Sequence, residues 1–127
     1  MNSICLVAGL LLAPLGDHIT LRWQHSIEKV RWEEDYRLEA GALLLTEARV
    51  RGTGAGMEPP EQAVFEGGEW HYRPALPPLP QVELRQSPYV APYTICTERR
   101  CALVTAWLPG LPEEAILVLK PCETVGG

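Results

Sequence analysis

Ile19-Thr20-Leu21-Arg22-Trp23-Gln24-His25-Ser26-Ile27, followed closely by Trp32-Glu33-Glu34-Asp35-Tyr36-Arg37-Leu38, decides the fold class. Ile19, Leu21, Trp23, His25 and Ile27 alternate with Thr20, Arg22, Gln24 and Ser26. Trp32, Glu34, Tyr36 and Leu38 alternate with Glu33, Asp35 and Arg37. Side chains of a strand point alternately to its two faces, so a period of two marks a half-buried strand. The short segment Glu28-Lys29-Val30-Arg31 between the runs reads as a hairpin loop, which sets Ile27 against Trp32. That register predicts His25 opposite Glu34, Trp23 opposite Tyr36 and Leu21 opposite Leu38.

The same pattern continues outward. After a turn at Glu39-Ala40-Gly41, Leu43, Leu45 and Glu47 alternate with Leu44, Thr46 and Ala48. Residues 81–86, 93–98, 100–108 and 115–120 read as further short strands. Toward the N-terminus, residues 4–16 form an apolar run too short to cross a bilayer. It reads as two short buried strands broken at Ala8-Gly9 and Pro14-Leu15-Gly16, in preference to a signal segment, because Met1-Asn2-Ser3 carries no cationic side chain and no A-x-A cleavage site follows. With 127 residues, of which 11 are Gly and 12 Pro, the chain is turn-rich. The expectation is a single antiparallel all-β domain over residues 1–127, a sandwich or partly open barrel of about eight short strands. The formal net charge of −5 opposes binding to nucleic acid or to an anionic membrane, both of which require a basic face. No segment reads as a transmembrane helix.

His25 and Glu34 form the first candidate site. Opposed residues of an antiparallel pair have Cβ atoms about 4.5–5.5 Å apart, close enough for imidazole and carboxylate to meet. A carboxylate on the apolar face that carries Trp23, Trp32 and Tyr36 needs a partner. The pair reads either as a register-fixing hydrogen bond or as a tuned couple that anchors a ligand or acts as a general base. Ser26 points to the other face from His25, so a Ser–His dyad is not expected, and no catalytic residue is assigned. Arg51-Gly52-Thr53-Gly54-Ala55-Gly56-Met57 supplies backbone N–H donors at Gly54 and Gly56, either as an anion cradle or as a glycine-rich bend. It lacks the spacing of a dinucleotide fingerprint and the Gly-Lys-Ser/Thr ending of a phosphate loop.

Cys96 and Cys101 bracket four residues, Thr97 to Arg100. As a hairpin this sets the two sulfurs face to face, able to form a disulfide. The C-x4-C spacing with Cys122 and a histidine is at the edge of the zinc pattern, so no metal and no cofactor is expected.

His25-Ser26-Ile27-Glu28 through Trp32-Glu33-Glu34, then Gly52-Thr53-Gly54-Ala55-Gly56-Met57, then Glu69-Trp70-His71-Tyr72-Arg73-Pro74 resemble the bacterial family known as domain of unknown function 1850. The resemblance runs from about Cys5 to Cys122. It implies an accessory role beside tripartite ATP-independent periplasmic (TRAP) transporters, in the subtype whose solute-binding protein is immunogenic-protein-like. It assigns no catalytic residues. It also implies a periplasmic location, whereas the uncharged start implies a cytoplasmic one. The expected function is therefore a non-enzymatic β domain binding a transporter component or a small carboxylate solute, with His25, Ser26, Glu34, Gly54 and Gly56 as its ligand-binding residues. The alternative is a hydrolase-like or metal-dependent enzyme that uses His25 and Glu34.

Overall fold

The computed structural model describes residues 2–24, 30–51 and 62–123. In chain order these hold β1 (Asn2–Ala8), β2 (Leu11–Pro14), β3 (His18–Gln24), β4 (Arg31–Glu39), β5 (Ala42–Arg51) and β6 (Val64–Glu66). There follow β7 (Glu69–Tyr72), β8 (Val82–Gln86), β9 (Thr94–Cys96), β10 (Cys101–Leu103), the single-turn helix α1 (Val104–Trp107) and β11 (Ala115–Glu123). Two antiparallel sheets face each other without closing into a barrel. One has the order β2-β1-β11-β8, the other β10-β9-β3-β4-β5-β7-β6.

The core lies between the sheets. Ile4, Leu6, Leu84, Leu117 and Leu119 of the smaller sheet pack with Ile19, Leu21, Tyr36, Leu43, Leu45 and Ile95 of the larger. Burying each aliphatic side chain of this size stabilises the fold by about 1.5–3 kcal/mol. Val104 and Leu108, at either end of α1, complete the same cluster. Residues 4–16 supply β1, β2 and the turn between them, where Gly9 takes a φ of 59°.

Three expectations are corrected in detail. The described residues form eleven short strands, not about eight. Residues 100–108 do not make one strand, because β10 ends at Leu103 and α1 follows. The third concerns register: β3 stops at Gln24 opposite Arg31, so Trp23 faces Trp32, Leu21 faces Glu34 and Ile19 faces Tyr36. The paired ends Gln24 and Arg31 are offset by four positions from the expected register, so that Leu21 and not His25 stands opposite Glu34. Favourable cross-strand pairs hold the observed register: Thr20 Oγ1 donates to Asp35 at 2.7 Å, Arg22 Nε donates to Glu33 at 2.7 Å, and the Trp23 and Trp32 rings stack at 6.0 Å. A slip of four keeps every side chain on its face, since only odd shifts exchange faces.

β4 and β5 meet through the two-residue turn Ala40-Gly41, both at positive φ (49° and 79°), which suits the twist of a tight hairpin. Farther along this ladder the pairing shifts between Asp35 and Tyr36, leaving Thr46 of β5 extra. Thr46 Oγ1 closes the irregularity by donating to the Asp35 carbonyl at 3.2 Å. The bulge reverses the alternation of β5. Leu43 and Leu45 point inward before it, Ala48 and Val50 after it, and Glu47 and Arg49 are sent to the outer face.

Candidate functional site

Past the bulge, the inner face of the larger sheet changes character. Leu21, Glu34, Ala48 and Tyr72 stand side by side across β3, β4, β5 and β7. The next row holds Trp23, Trp32, Val50 and Trp70. Glu34 is therefore a carboxyl group set between two buried apolar side chains, Leu21 and Ala48, and flanked by aromatic rings. Trp23 and Trp32 are nearly parallel, 9° apart, and Tyr93 packs on Trp23 with ring centres 5.9 Å apart. Among the described residues Glu34 forms no ion pair. Tyr36 Oη donates to its Oε1 at 3.0 Å.

The electrostatics follow from that setting. Burial pushes the Glu34 carboxyl above the usual carboxylate range, and the hydrogen bond from Tyr36 only partly opposes it. Burial, then the nearby Glu34 charge, raise the Tyr72 and Tyr93 hydroxyls, and Tyr36 is raised further in the same way. The three phenols stay protonated over the whole physiological range; the Tyr36 proton goes to Glu34, which leaves Tyr72 and Tyr93 as the phenol donors at this corner.

The outer face of the same strands is different in kind. Arg49 bonds Asp35 twice (2.7 and 2.8 Å), Glu47 at 2.5 Å and Glu33 at 3.3 Å, and Arg22 also bonds Glu33. His71 Nδ1 lies 3.3 Å from Glu47. Burial raises Glu33 and Asp35, but hydrogen bonds and charge from the arginines (joined by Thr20 at Asp35) outweigh it, so both carboxyls sit below their ordinary values. Arg49 is raised, first by its bonds to Asp35. Each of the three carboxylates is bonded by an arginine, and these bonds tie β3, β4 and β5 together.

Of the residues singled out in the sequence, Glu34 is described and occupies the aromatic corner. His25, Ser26, Gly54 and Gly56 lie outside the described residues. The strand ends that lead to them do not: Gln24 pairs with Arg31, and Arg31 with Arg51, at the end of the sheet that carries Trp23 and Trp32. Segment 25–29 thus starts from this end of the sheet, and segment 52–61 leaves from it at Arg51 and rejoins the described chain ahead of β6, where Val64 pairs with His71 two positions farther in. Tyr72 and Tyr93 escaped the sequence reading, because their place near Glu34 depends on the parity reversal at Thr46 and on β9 pairing with β3.

Cys96 and Cys101 stand opposite each other on β9 and β10 and are joined in a disulfide, with Cα atoms 3.9 Å apart. A second disulfide, Cys5–Cys122, joins β1 to β11 across 117 residues of chain. Among the described residues no group of three His, Cys, Asp or Glu side chains is arranged to hold a metal ion, and no helix is long and apolar enough to cross a membrane.

No curated protein and no solved structure matches this chain. Residues 19–103, about two thirds of the 127, match the family described as a domain of unknown function, DUF1850. That span runs from β3 to β10 and contains the whole aromatic corner and the outer ion-pair layer. The chain belongs to the DUF1850 family.

Proposed function

We propose that this domain is a non-catalytic binding module that works beside a TRAP-type transporter and takes a small carboxylate solute at the Glu34 corner. The observation that carries the reading is convergence. The one inward carboxyl of the row, its aromatic neighbours, and Gln24 and Arg51, from which the two motif-bearing segments leave, lie toward the same end of one sheet. Glu34 in its neutral form donates an O–H to a solute carboxylate, and its burial favours that form. The Tyr72 and Tyr93 hydroxyls add donors, and the tryptophan faces accept an apolar body. An acyl-transfer reading needs a nucleophile beside the base; the side chain directly opposite Glu34 on β3 is Leu21.

Two disulfides and no free cysteine support an oxidising compartment, the periplasmic alternative of the two locations considered above. Co-purification of the full chain with the components of a TRAP transporter, together with thermal-shift screening against organic acids, tests the proposal. A carboxylate that raises the melting temperature and a co-purifying transporter subunit are expected, because a ligand bound only to the folded state stabilises it. Turnover of an ester or amide by purified protein would contradict the non-catalytic reading.

A further inference from the structure

Toward the other end of β3, about 10 Å from Leu21 of the Glu34 row at the usual strand rise, lies a concavity of about 470 Å³. It is walled on one side by the segment leading into β3, with Asp17 and His18, and on the other by the β9–β10 loop, with Glu98, Arg99 and Arg100. Trp107 of α1 also lines it.

The walls are fixed before any ligand arrives. The loop is closed by the Cys96–Cys101 disulfide and by Thr97 N–H donating to the Arg100 carbonyl at 2.8 Å. The Thr97 hydroxyl oxygen accepts from the Arg99 N–H at 3.2 Å. The indole of Trp107 is anchored by its N–H to the Ile95 carbonyl at 3.1 Å, and the Arg100 guanidinium lies 4.2 Å from its ring centre. Such preorganisation lowers the ordering cost of binding.

The charges divide into two sets. His18 joins the two carboxylates, with Nδ1 2.8 Å from Asp17 and Nε2 3.4 Å from Glu98. Among the described residues neither Arg99 nor Arg100 forms an ion pair, although acidic groups line the same concavity. Guanidinium presents a planar fork suited to a carboxylate, whereas the Asp17–His18–Glu98 chain presents acceptor oxygens suited to an ammonium. A polyanion meets repulsion from Asp17 and Glu98, and a simple cation meets it from the two arginines. A molecule carrying both charges meets neither.

We propose that this groove is a binding site for a small zwitterion of the α-amino-acid type, its carboxylate on Arg99 and Arg100, its ammonium toward Asp17 and Glu98, and its side chain along Trp107. The site is separate from the Glu34 corner.

The test is a titration of the full, oxidised chain with L-phenylalanine, 3-phenylpropionate and phenethylamine, followed by calorimetry and by backbone amide shifts. Phenylalanine is expected to bind this groove, as read from the amide shifts of residues 97–101, at least 10-fold tighter than either singly charged analogue. R99A/R100A is expected to lose at least 10-fold in affinity for phenylalanine while keeping its fold, since both substitutions lie on an exposed loop. D17N/E98Q is expected to erase the preference over 3-phenylpropionate. Equal affinity for all three compounds, no binding of phenylalanine, or unchanged affinity in R99A/R100A would overturn the site. The amide shifts of residues 97–101 report this groove alone, so a carboxylate bound at the Glu34 corner, which leaves those amides unmoved, is distinguishable from one bound here.

Discussion

Tyr36 donates its hydroxyl proton to Glu34 Oε1 at 3.0 Å from two positions along the same face of β4. That bond satisfies one carboxylate oxygen in a row otherwise made of Leu21, Ala48 and Tyr72. The fold therefore carries a carboxyl group in a row whose other members are apolar or aromatic.

Glu34→Gln is expected to stabilise the domain at pH 7 by about 0.5–2 kcal/mol, the usual size of a single stabilising substitution. The amide oxygen still accepts from Tyr36, and no charge is held in the row. The folded carboxyl lies above its ordinary value of 4.5, so the folded state binds more protons than the unfolded one in the window just above that pH. Stability from this group is thus full below the ordinary value and is lost as pH rises through the raised one. Chemical denaturation of both proteins between pH 4 and 8 checks this. The advantage of the variant should grow with pH and then level off.

The outer face has the opposite sign. Glu33 and Asp35 sit below their ordinary values of 4.5 and 3.8, so their stabilisation is present above those values and is lost as pH falls through the depressed ones. Arg49→Ala strips the shared cation from Glu33, Asp35 and Glu47. The cost is expected near the low end of the ~3–5 kcal/mol seen when one member of a buried pair is removed, since the layer is only partly covered. Urea denaturation at pH 7 measures that loss. Repeating it from pH 5 to 2 should show a flatter acid limb for the variant.

Much of this architecture was legible in the chain, and the misreadings have a common cause. Alternation in residues 19–24 and 32–38 identified β3, β4 and their faces correctly, because alternation reports burial directly. It did not report register, which depends on loop length and on pairs such as Arg22–Glu33 and Thr20–Asp35 that only opposed strands reveal. Sequence likewise placed Glu47 with Leu43 and Leu45. The extra residue Thr46 reverses the parity there, and a bulge held by one hydroxyl to a carbonyl leaves no pattern to read. The Cys96/Cys101 hairpin was visible because its spacing is local. The Cys5–Cys122 link joins residues 117 apart and was not.

That separation sets a third expectation. In the chain-entropy account a link closing about 100 residues contributes about 4.7 kcal/mol, whereas one closing a handful of residues contributes far less. Cys5→Ala/Cys122→Ala should therefore lower the melting temperature strongly, and Cys96→Ala/Cys101→Ala only slightly. Calorimetry of the two double variants under oxidising conditions checks the order.

Ala40 holds a φ of 49° in the turn between β4 and β5, a conformation that costs a side-chain-bearing residue about 1–2 kcal/mol. Asn tolerates it better. Ala40→Asn is expected to raise stability by about 0.5–1 kcal/mol with no change of fold, as read from urea midpoints at an unchanged slope.

The central claim, that the Glu34 corner takes a carboxylate with Glu34 as donor, is tested most directly by calorimetric titration with succinate across pH 5 to 8. The account predicts affinity that rises as pH falls through the raised Glu34 value, becomes independent of that ionisation in Glu34→Gln, which keeps an N–H donor, and disappears in a folded Glu34→Leu. Affinity that Glu34→Leu leaves unchanged, or that strengthens as pH rises, would contradict it.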